Sequence, residues 1–184
     1  ELLDNLDSVD LSLLNKDGVG SRVDLEQPFI LLSQHPVTTE YGAGETQINA
    51  SLQAIKDSGL PAIVLWPNSD AGSEDIARGM RKFREKEEVE NFHYFKNLPT
   101  DLYIALMHKT ACLVGNSSSA IREGAYIGTP TVNIGTRQNM RQRGANVLDV
   151  GYDKKEILNG IQQQLSHGRY PSEPIYGDGK AGKR

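Results

Sequence analysis

The chain has 184 residues, 38% of them hydrophobic and 24% charged, and carries a formal net charge of −4 from 20 basic and 24 acidic side chains. That length suits one ordinary core and leaves two full domains cramped. The acidic balance excludes general attraction to nucleic acid or anionic lipid, and no apolar run is long enough to span a bilayer. A single cysteine, Cys112, excludes an internal disulfide and stands apart from any metal-ligand spacing; it reads as a small buried residue, in keeping with a reducing, cytoplasmic setting.

Residues 1–27 are mixed. Leu2, Leu3, Leu6, Val9, Leu11 and Leu13 recur at loosely helical spacing, and Gly18, Val19, Gly20 and Ser21 read as a loop. The expectation is a helix and linker from a preceding domain, on a chain that was processed or cut out, since it opens on Glu1 without a basic or apolar leader. From Pro28 onward the pattern becomes regular. Residues 29–32 (FILL) form a buried strand, followed by Ser33, Gln34, His35 and Pro36. Residues 45–57 follow as a helix with Ile48, Leu52 and Ile55 on one side. Residues 62–66 are a second strand closed by Pro67, Asn68, Ser69 and Asp70. A charged helix over 74–87 turns Ile76, Met80 and Phe83 inward, a third strand over 91–95 leads to Lys96, Asn97 and Leu98, and a helix over 101–108 faces Tyr103, Leu106 and Met107 inward.

The most informative stretch is 113–137, LVGNSSSAIREGAYIGTPTVNIGTR. The fourth strand, 111–114, meets Gly115 and Asn116, then Ser117, Ser118 and Ser119, then an amphipathic helix. Serines at a helix start can cap it, or its free N–H groups and positive dipole end can hold an anion such as phosphate. Strands over 131–134 and 146–150 and a helix over 154–165 complete the series. Six strands alternating with helices specify an α/β fold, a doubly wound, largely parallel Rossmann-like sheet.

In such sheets ligands bind beyond the carboxyl ends of the strands. Those ends carry His35, Asn68 with Asp70, Lys96 with Asn97, Asn116 with the serines, and Gly135 with Arg137. His35 has a titration range suited to phosphate contact or proton transfer. His93, His108 and His167 read as structural or solvent-facing. Glu123, just inside the helix, suits ribose hydroxyls. One of Arg137, Arg141 and Arg143 is suited to a diphosphate. There is no G-x-G-x-x-G after the first strand, no G-x-x-x-x-G-K-[ST], no metal-spaced cluster and no G-x-S-x-G, so neither a metal nor a cofactor is expected.

The runs QHPVTTE (34–40), PNSDAGS (67–73), GNSSSAIREGAYIGTPTVNIGTRQ (115–138) and YGDGKA (176–181) resemble the carboxyl-terminal domain of the hydrolysing UDP-N-acetylglucosamine 2-epimerases of sialic acid synthesis. The resemblance implies one half of a two-domain, type B glycosyltransferase-like fold, with residues 28–184 as the nucleotide-binding domain and a final helix truncated. It places catalytic His35 near the diphosphate and reacting sugar, Asn68 in the UDP pocket, and the backbone of Lys96, Asn97 and Leu98 against uracil. It places Ser117 and Ser118 on the phosphates, Glu123 on ribose, and Arg137 closing on the nucleotide. The implied reaction eliminates UDP across C1 and C2 and hydrates the glycal to N-acetylmannosamine. Its main acid and base carboxylates belong to an amino-terminal domain, so this chain alone is expected to be inactive. The implied partners are UDP, UDP-N-acetylglucosamine, that amino-terminal domain, and further copies in a homodimer or higher oligomer; nucleic acid and membrane are not expected. The TRQ of residues 136–138 favours the hydrolysing branch over the non-hydrolysing one. A hydrolysing epimerase for a modified UDP- or GDP-sugar, and a type B glycosyltransferase, are the other readings.

Overall fold

The computed structural model describes residues 18–87 and 90–177, together with Val9, Leu11 and Leu14. The expected first helix lies largely outside the described residues, as does the YGDGKA motif beyond Gly177. The elements, in chain order, are β1 (Val19–Gly20), β2 (Ile30–Ser33), α1 (Gly44–Ser58), β3 (Ala62–Leu65), α2 (Ser73–Glu87), β4 (Phe92–Phe95), α3 (Thr100–Lys109), β5 (Cys112–Gly115), α4 (Ser118–Ile127), β6 (Thr131–Ile134), β7 (Val147–Val150) and α5 (Lys154–His167). They form one 7-stranded sheet in the order β1-β4-β3-β2-β5-β6-β7. Every pairing from β4 to β7 is parallel.

One element differs from expectation. Residues 18–21 are not a free loop: Val19 and Gly20 pair antiparallel with Tyr94 and His93 of β4, as an edge strand. Two residues carry no readable period, so pairing across 73 residues left no local mark. His93 is buried, and its Nδ1 lies 2.8 Å from the Ser21 carbonyl oxygen.

The apolar runs become strands because both faces of the sheet are covered. Along β2, Ile30 and Leu32 enter a core beneath α1, α2 and α5 that includes Ile48, Leu52, Ile55, Ile76, Met80, Ile157 and Ile161. Phe29 and Leu31 enter the opposite core with Leu102, Leu106, Met107, Leu113 and Ala120. Each fully buried side chain of this size stabilises the fold by about 1.5–3 kcal/mol. Cys112 is fully buried on the first side, and burial pushes its thiol up to about 12.

Strand order places the switch point between β2 and β5. The chain runs outward from β2 through β3 to β4, then returns to β5 on the other side of β2 and runs outward again. At this reversal the connections depart in opposite directions and leave a crevice at the carboxyl edge. Gly115 ends β5 there at φ +132, where a Cβ would stand 2.1 Å from the Ser33 carbonyl oxygen. Only glycine permits that approach.

Candidate functional site

The crevice holds a cavity of about 270 Å³ walled by Ser33, His35, Leu65, Trp66, Pro67, Asn68, Lys96, Asn97, Leu98, Thr100, Tyr103 and Ser117. Residues from the ends of three adjacent strands and from the start of α4 thus share one space. Its wall is apolar at Leu65, Trp66 and Leu98 and polar at His35, Asn68, Tyr103 and Ser117.

His35 is held at four points, the longest being its ring Nε2 at 3.5 Å from Ser33 Oγ. Its backbone N–H donates to Asn116 Oδ1 at 2.7 Å, and Asn116 Nδ2 donates back to the His35 carbonyl at 2.9 Å. Its ring Nδ1 accepts from the backbone N–H of Asn68 at 3.2 Å. That bond needs the Nδ1 lone pair, so the neutral ring carries its proton on Nε2. Burial, and then the charge of Arg137, lower the ring pKa from 6.5 to about 4, against smaller opposing effects of Asp70 and Asn68. At neutral pH the ring is an uncharged Nε2–H donor.

The bonds close into a circuit. Asn68 Nδ2 donates to Asp70 Oδ2 at 2.6 Å, and Arg137 Nη2 reaches the same oxygen at 3.4 Å. Arg137 Nη1 and Gln138 Nε2 both donate to the Asn116 carbonyl, at 3.2 and 2.7 Å. The ring His35–Asn68–Asp70–Arg137–Asn116–His35 therefore joins the ends of β2, β3 and β5 to the segment after β6. Asp70 does not cap α2 with its side chain; its carboxylate is turned to Asn68 and Arg137.

Ser117 is the N-cap residue of α4, yet its hydroxyl makes no capping bond. It lies 2.7 Å from Ser119 Oγ, which in turn lies 2.6 Å from the Tyr103 hydroxyl. The first turn is left without a side-chain cap; the Ala120 N–H donates to the Ser117 carbonyl at 3.3 Å, and the N–H groups of Ser118 and Ser119 with the dipole end are left for an anion.

Six of the nine expected site residues line the cavity: His35, Asn68, Lys96, Asn97, Leu98 and Ser117. Ser118 opens α4 beside Ser117 but is not part of the wall. Glu123 is partly buried further along the same helix and is also outside the wall. Arg137 lines a neighbouring cavity of about 440 Å³ with Pro36, Val37, Thr38, Thr39, Asp70 and Thr136. Of the other arginines, Arg143 pairs with Asp149 at 2.7 Å and Arg141 is exposed.

Several contributors carried no sequence signal of their own. Tyr103 was expected to face inward with Leu106 and Met107, but its hydroxyl is at the cavity. Trp66, Pro67 and Thr100 line the wall as neighbours of residues that were singled out. Glu40 accepts from Gln47 Nε2 and from the Tyr152 hydroxyl, each at 2.6 Å, and from the Thr136 hydroxyl. Burial pushes the Glu40 carboxyl up, but these bonds outweigh it and hold it below the usual carboxylate range. Glu40 thereby ties the loop after His35 to the segment that delivers Arg137. Tyr152 packs on Gly135, whose φ is +71 and where a Cβ would stand 2.1 Å from the ring. Partner distances of 96 and 112 residues are invisible to local pattern. Among the described residues, no three His, Cys, Asp or Glu side chains gather as a metal site, and no helix is long and apolar enough to cross a membrane.

Comparison with known proteins adds a family to this geometry. Residues 2–184 match the family model described as UDP-N-acetylglucosamine 2-epimerase. The chain is 33% identical over 161 residues to a UDP-N,N'-diacetylbacillosamine 2-epimerase (hydrolyzing) of Legionella pneumophila, an alignment covering 88% of this chain and 42% of that protein. It is 31% identical over 145 residues to a UDP-N-acetylglucosamine 2-epimerase of Neisseria meningitidis, covering 79% of this chain and 37% of that protein. The chain thus spans less than half the length of these relatives. In three dimensions it resembles the crystal structure of UDP-GlcNAc 2-epimerase from Neisseria meningitidis bound to UDP-GlcNAc, with a TM-score of 0.67 at 17% identity over 99% of this chain and 50% of that one.

Proposed function

Because the chain belongs to the UDP-N-acetylglucosamine 2-epimerase family, we propose that it is the nucleotide-binding half of a hydrolysing 2-epimerase, residues 28–184 forming the domain that grips UDP. The observation that carries this reading is the closed hydrogen-bond circuit at the switch-point crevice, beside a helix N-terminus whose cap position is left open. The apolar wall of Leu65, Trp66 and Leu98, with the backbone of Lys96 and Asn97, takes the base. Glu123 accepts from the ribose hydroxyls, and Ser117, Ser118 and the first turn of α4 take the phosphates.

The reaction is elimination of UDP across C1 and C2 of UDP-N-acetylglucosamine, followed by hydration that releases N-acetylmannosamine. Charge develops on the departing diphosphate as the C1–O bond breaks. Neutral His35 offers Nε2–H to that oxygen, and Arg137, released from Asp70, supplies a bidentate cation. Proton removal from the sugar falls to carboxylates of an amino-terminal half, and the complete enzyme works as a dimer or larger assembly in the cytoplasm. The 184-residue chain binds UDP and does not turn over substrate.

The hydrolysing branch is supported by the TRQ segment at 136–138 and by relatives whose own descriptions read "hydrolyzing". A second reading, a hydrolysing epimerase acting on a diacetamido UDP-sugar, is favoured by the similarity to the Legionella protein. Product analysis by NMR tests both. A protein that also carries the amino-terminal half should release UDP and free N-acetylmannosamine from UDP-N-acetylglucosamine. Turnover of only the diacetamido sugar would select the second reading, and an epimerised sugar still attached to UDP would overturn hydrolysis.

A further inference from the structure

Three hydroxyls run in a chain along the cavity: Tyr103 to Ser119 at 2.6 Å and Ser119 to Ser117 at 2.7 Å. Both ends line the cavity, Tyr103 on the α3 side and Ser117 at the start of α4, while Ser119 links them from within. Each hydroxyl has one proton and can accept as well as donate. Two proton orders satisfy the chain. If Tyr103 donates to Ser119 and Ser119 to Ser117, the spare O–H is at Ser117. If the order is reversed, the spare O–H is at Tyr103.

From this geometry we infer that Tyr103 and Ser119 are positioning residues that hold the Ser117 hydroxyl off its own helix cap and aim its proton at a phosphate. The inference rests on the nucleotide reading above and deepens it. Ser117 is the N-cap of α4, where a serine hydroxyl ordinarily accepts from the second or third N–H of the helix. Here that bond is not made, because the oxygen is engaged sideways by Ser119. Two consequences follow for an anion. The N–H groups of Ser118 and Ser119 stay available, the Ala120 N–H being bonded to the Ser117 carbonyl at 3.3 Å, and the spare proton is drawn to the Ser117 end, since a phosphate oxygen only accepts. All three bonds then point toward the ligand and polarise one another. At the other end the Tyr103 hydroxyl serves only to donate to Ser119 and so to fix the proton order. A nucleoside diphosphate offers the Ser117 proton an acceptor at its phosphates.

The chain also explains why α4 tolerates an uncapped start. The Ser117 hydroxyl is satisfied by Ser119, the Ala120 N–H by the Ser117 carbonyl, and the N–H groups of Ser118 and Ser119 by the ligand when it binds. Without Ser119 Oγ, rotation of Ser117 into the capping position becomes the favourable alternative, and it occupies a donor that the phosphate needs. The loss is therefore specific to phosphate-bearing ligands and is not a general loosening of the pocket.

The test uses the 184-residue chain with UDP and uridine as probes, affinities being read by calorimetry and by NMR shift titration. Ser119→Ala and Tyr103→Phe should each weaken UDP binding about tenfold, the scale of one hydrogen bond to a charged group, while uridine affinity changes less than about twofold. Ser119→Thr, which keeps the hydroxyl, should restore most of the UDP affinity, a result that a purely structural role for the position does not predict. Equal losses for UDP and uridine, or unchanged UDP affinity in both variants, overturn the inference while leaving nucleotide binding intact. If the unmodified chain is folded and binds no UDP, the proposed function falls and the inference with it.

Discussion

At the scale of single residues, His35 is the most tightly specified group in the molecule. Its ring is turned by one backbone N–H, its backbone is clasped by Asn116, and its charge state is set by burial and by Arg137. The ring should titrate near 4 in NMR spectra of the free protein. Arg137→Gln should raise that value, yet leave it below 6.5 because burial is the larger cause; Asp70→Asn should lower it. A bound diphosphate should raise it, since a nearby anion favours the imidazolium. The same shift fixes a pH dependence of stability. Between about 4 and 6.5 the unfolded chain binds a proton that the folded His35 refuses, so this contribution is complete above 6.5 and is lost as pH falls toward 4. Chemical denaturation across that range should show it, reduced in His35→Gln.

At the scale of elements, two helix starts in the same protein make a controlled contrast. Asp153 caps α5, its Oδ1 accepting from the N–H groups of Lys155 and Glu156 at 2.8 and 3.1 Å. Ser117 stands at the equivalent place on α4 and caps nothing. Asp153→Ala should therefore cost about 1 kcal/mol of stability. Ser117→Ala should cost well under half of that and show its effect in UDP affinity. Thermal and urea unfolding of the two variants measure the difference. Gly115 belongs to this scale as well, because it lets β5 turn against the Ser33 carbonyl oxygen. Gly115→Ala should destabilise by about 3 kcal/mol or more, from strain in the positive-φ region added to a backbone clash.

How much of this was legible in the chain depends on the range of the interaction. The strand 131–134 has the bounds read from its apolar run, and α1, α2 and α5 each lie within two residues of their expected limits, because alternation and turn residues are local signals. The position of His35 after a strand, and of three serines after Gly115 and Asn116, marked a rim in the same local way. The antiparallel β1, the Glu40–Tyr152 bond, the Asp70–Arg137 pair and the exposure of the Tyr103 hydroxyl were not legible. Each is a meeting of residues that only the assembled sheet brings together. Tyr103 shows the limit plainly: helical spacing correctly groups it with Leu106 and Met107, but a tyrosine has an apolar body and a polar tip, and only the second helix decides where the tip goes.

At the scale of the whole molecule, the fold supplies a crevice, and five loops, those after β2, β3, β4, β5 and β6, surround it. Strand order sets the switch point between β2 and β5; the circuit from His35 through Asn68, Asp70, Arg137 and Asn116 draws four of these loops, those after β2, β3, β5 and β6, into one unit. Glu40 fastens the outer pair through Thr136 and Tyr152. On the proposed function, this preorganisation would let the chain bind nucleotide before a partner domain closes on it. The direct measurement is a calorimetric titration of the folded 184-residue chain with UDP, alongside Arg137→Ala. The account predicts saturable binding of one UDP per chain, weakened about tenfold or more by the substitution. A chain with native circular dichroism that takes up no UDP, or an Arg137→Ala variant with undiminished affinity, would contradict it.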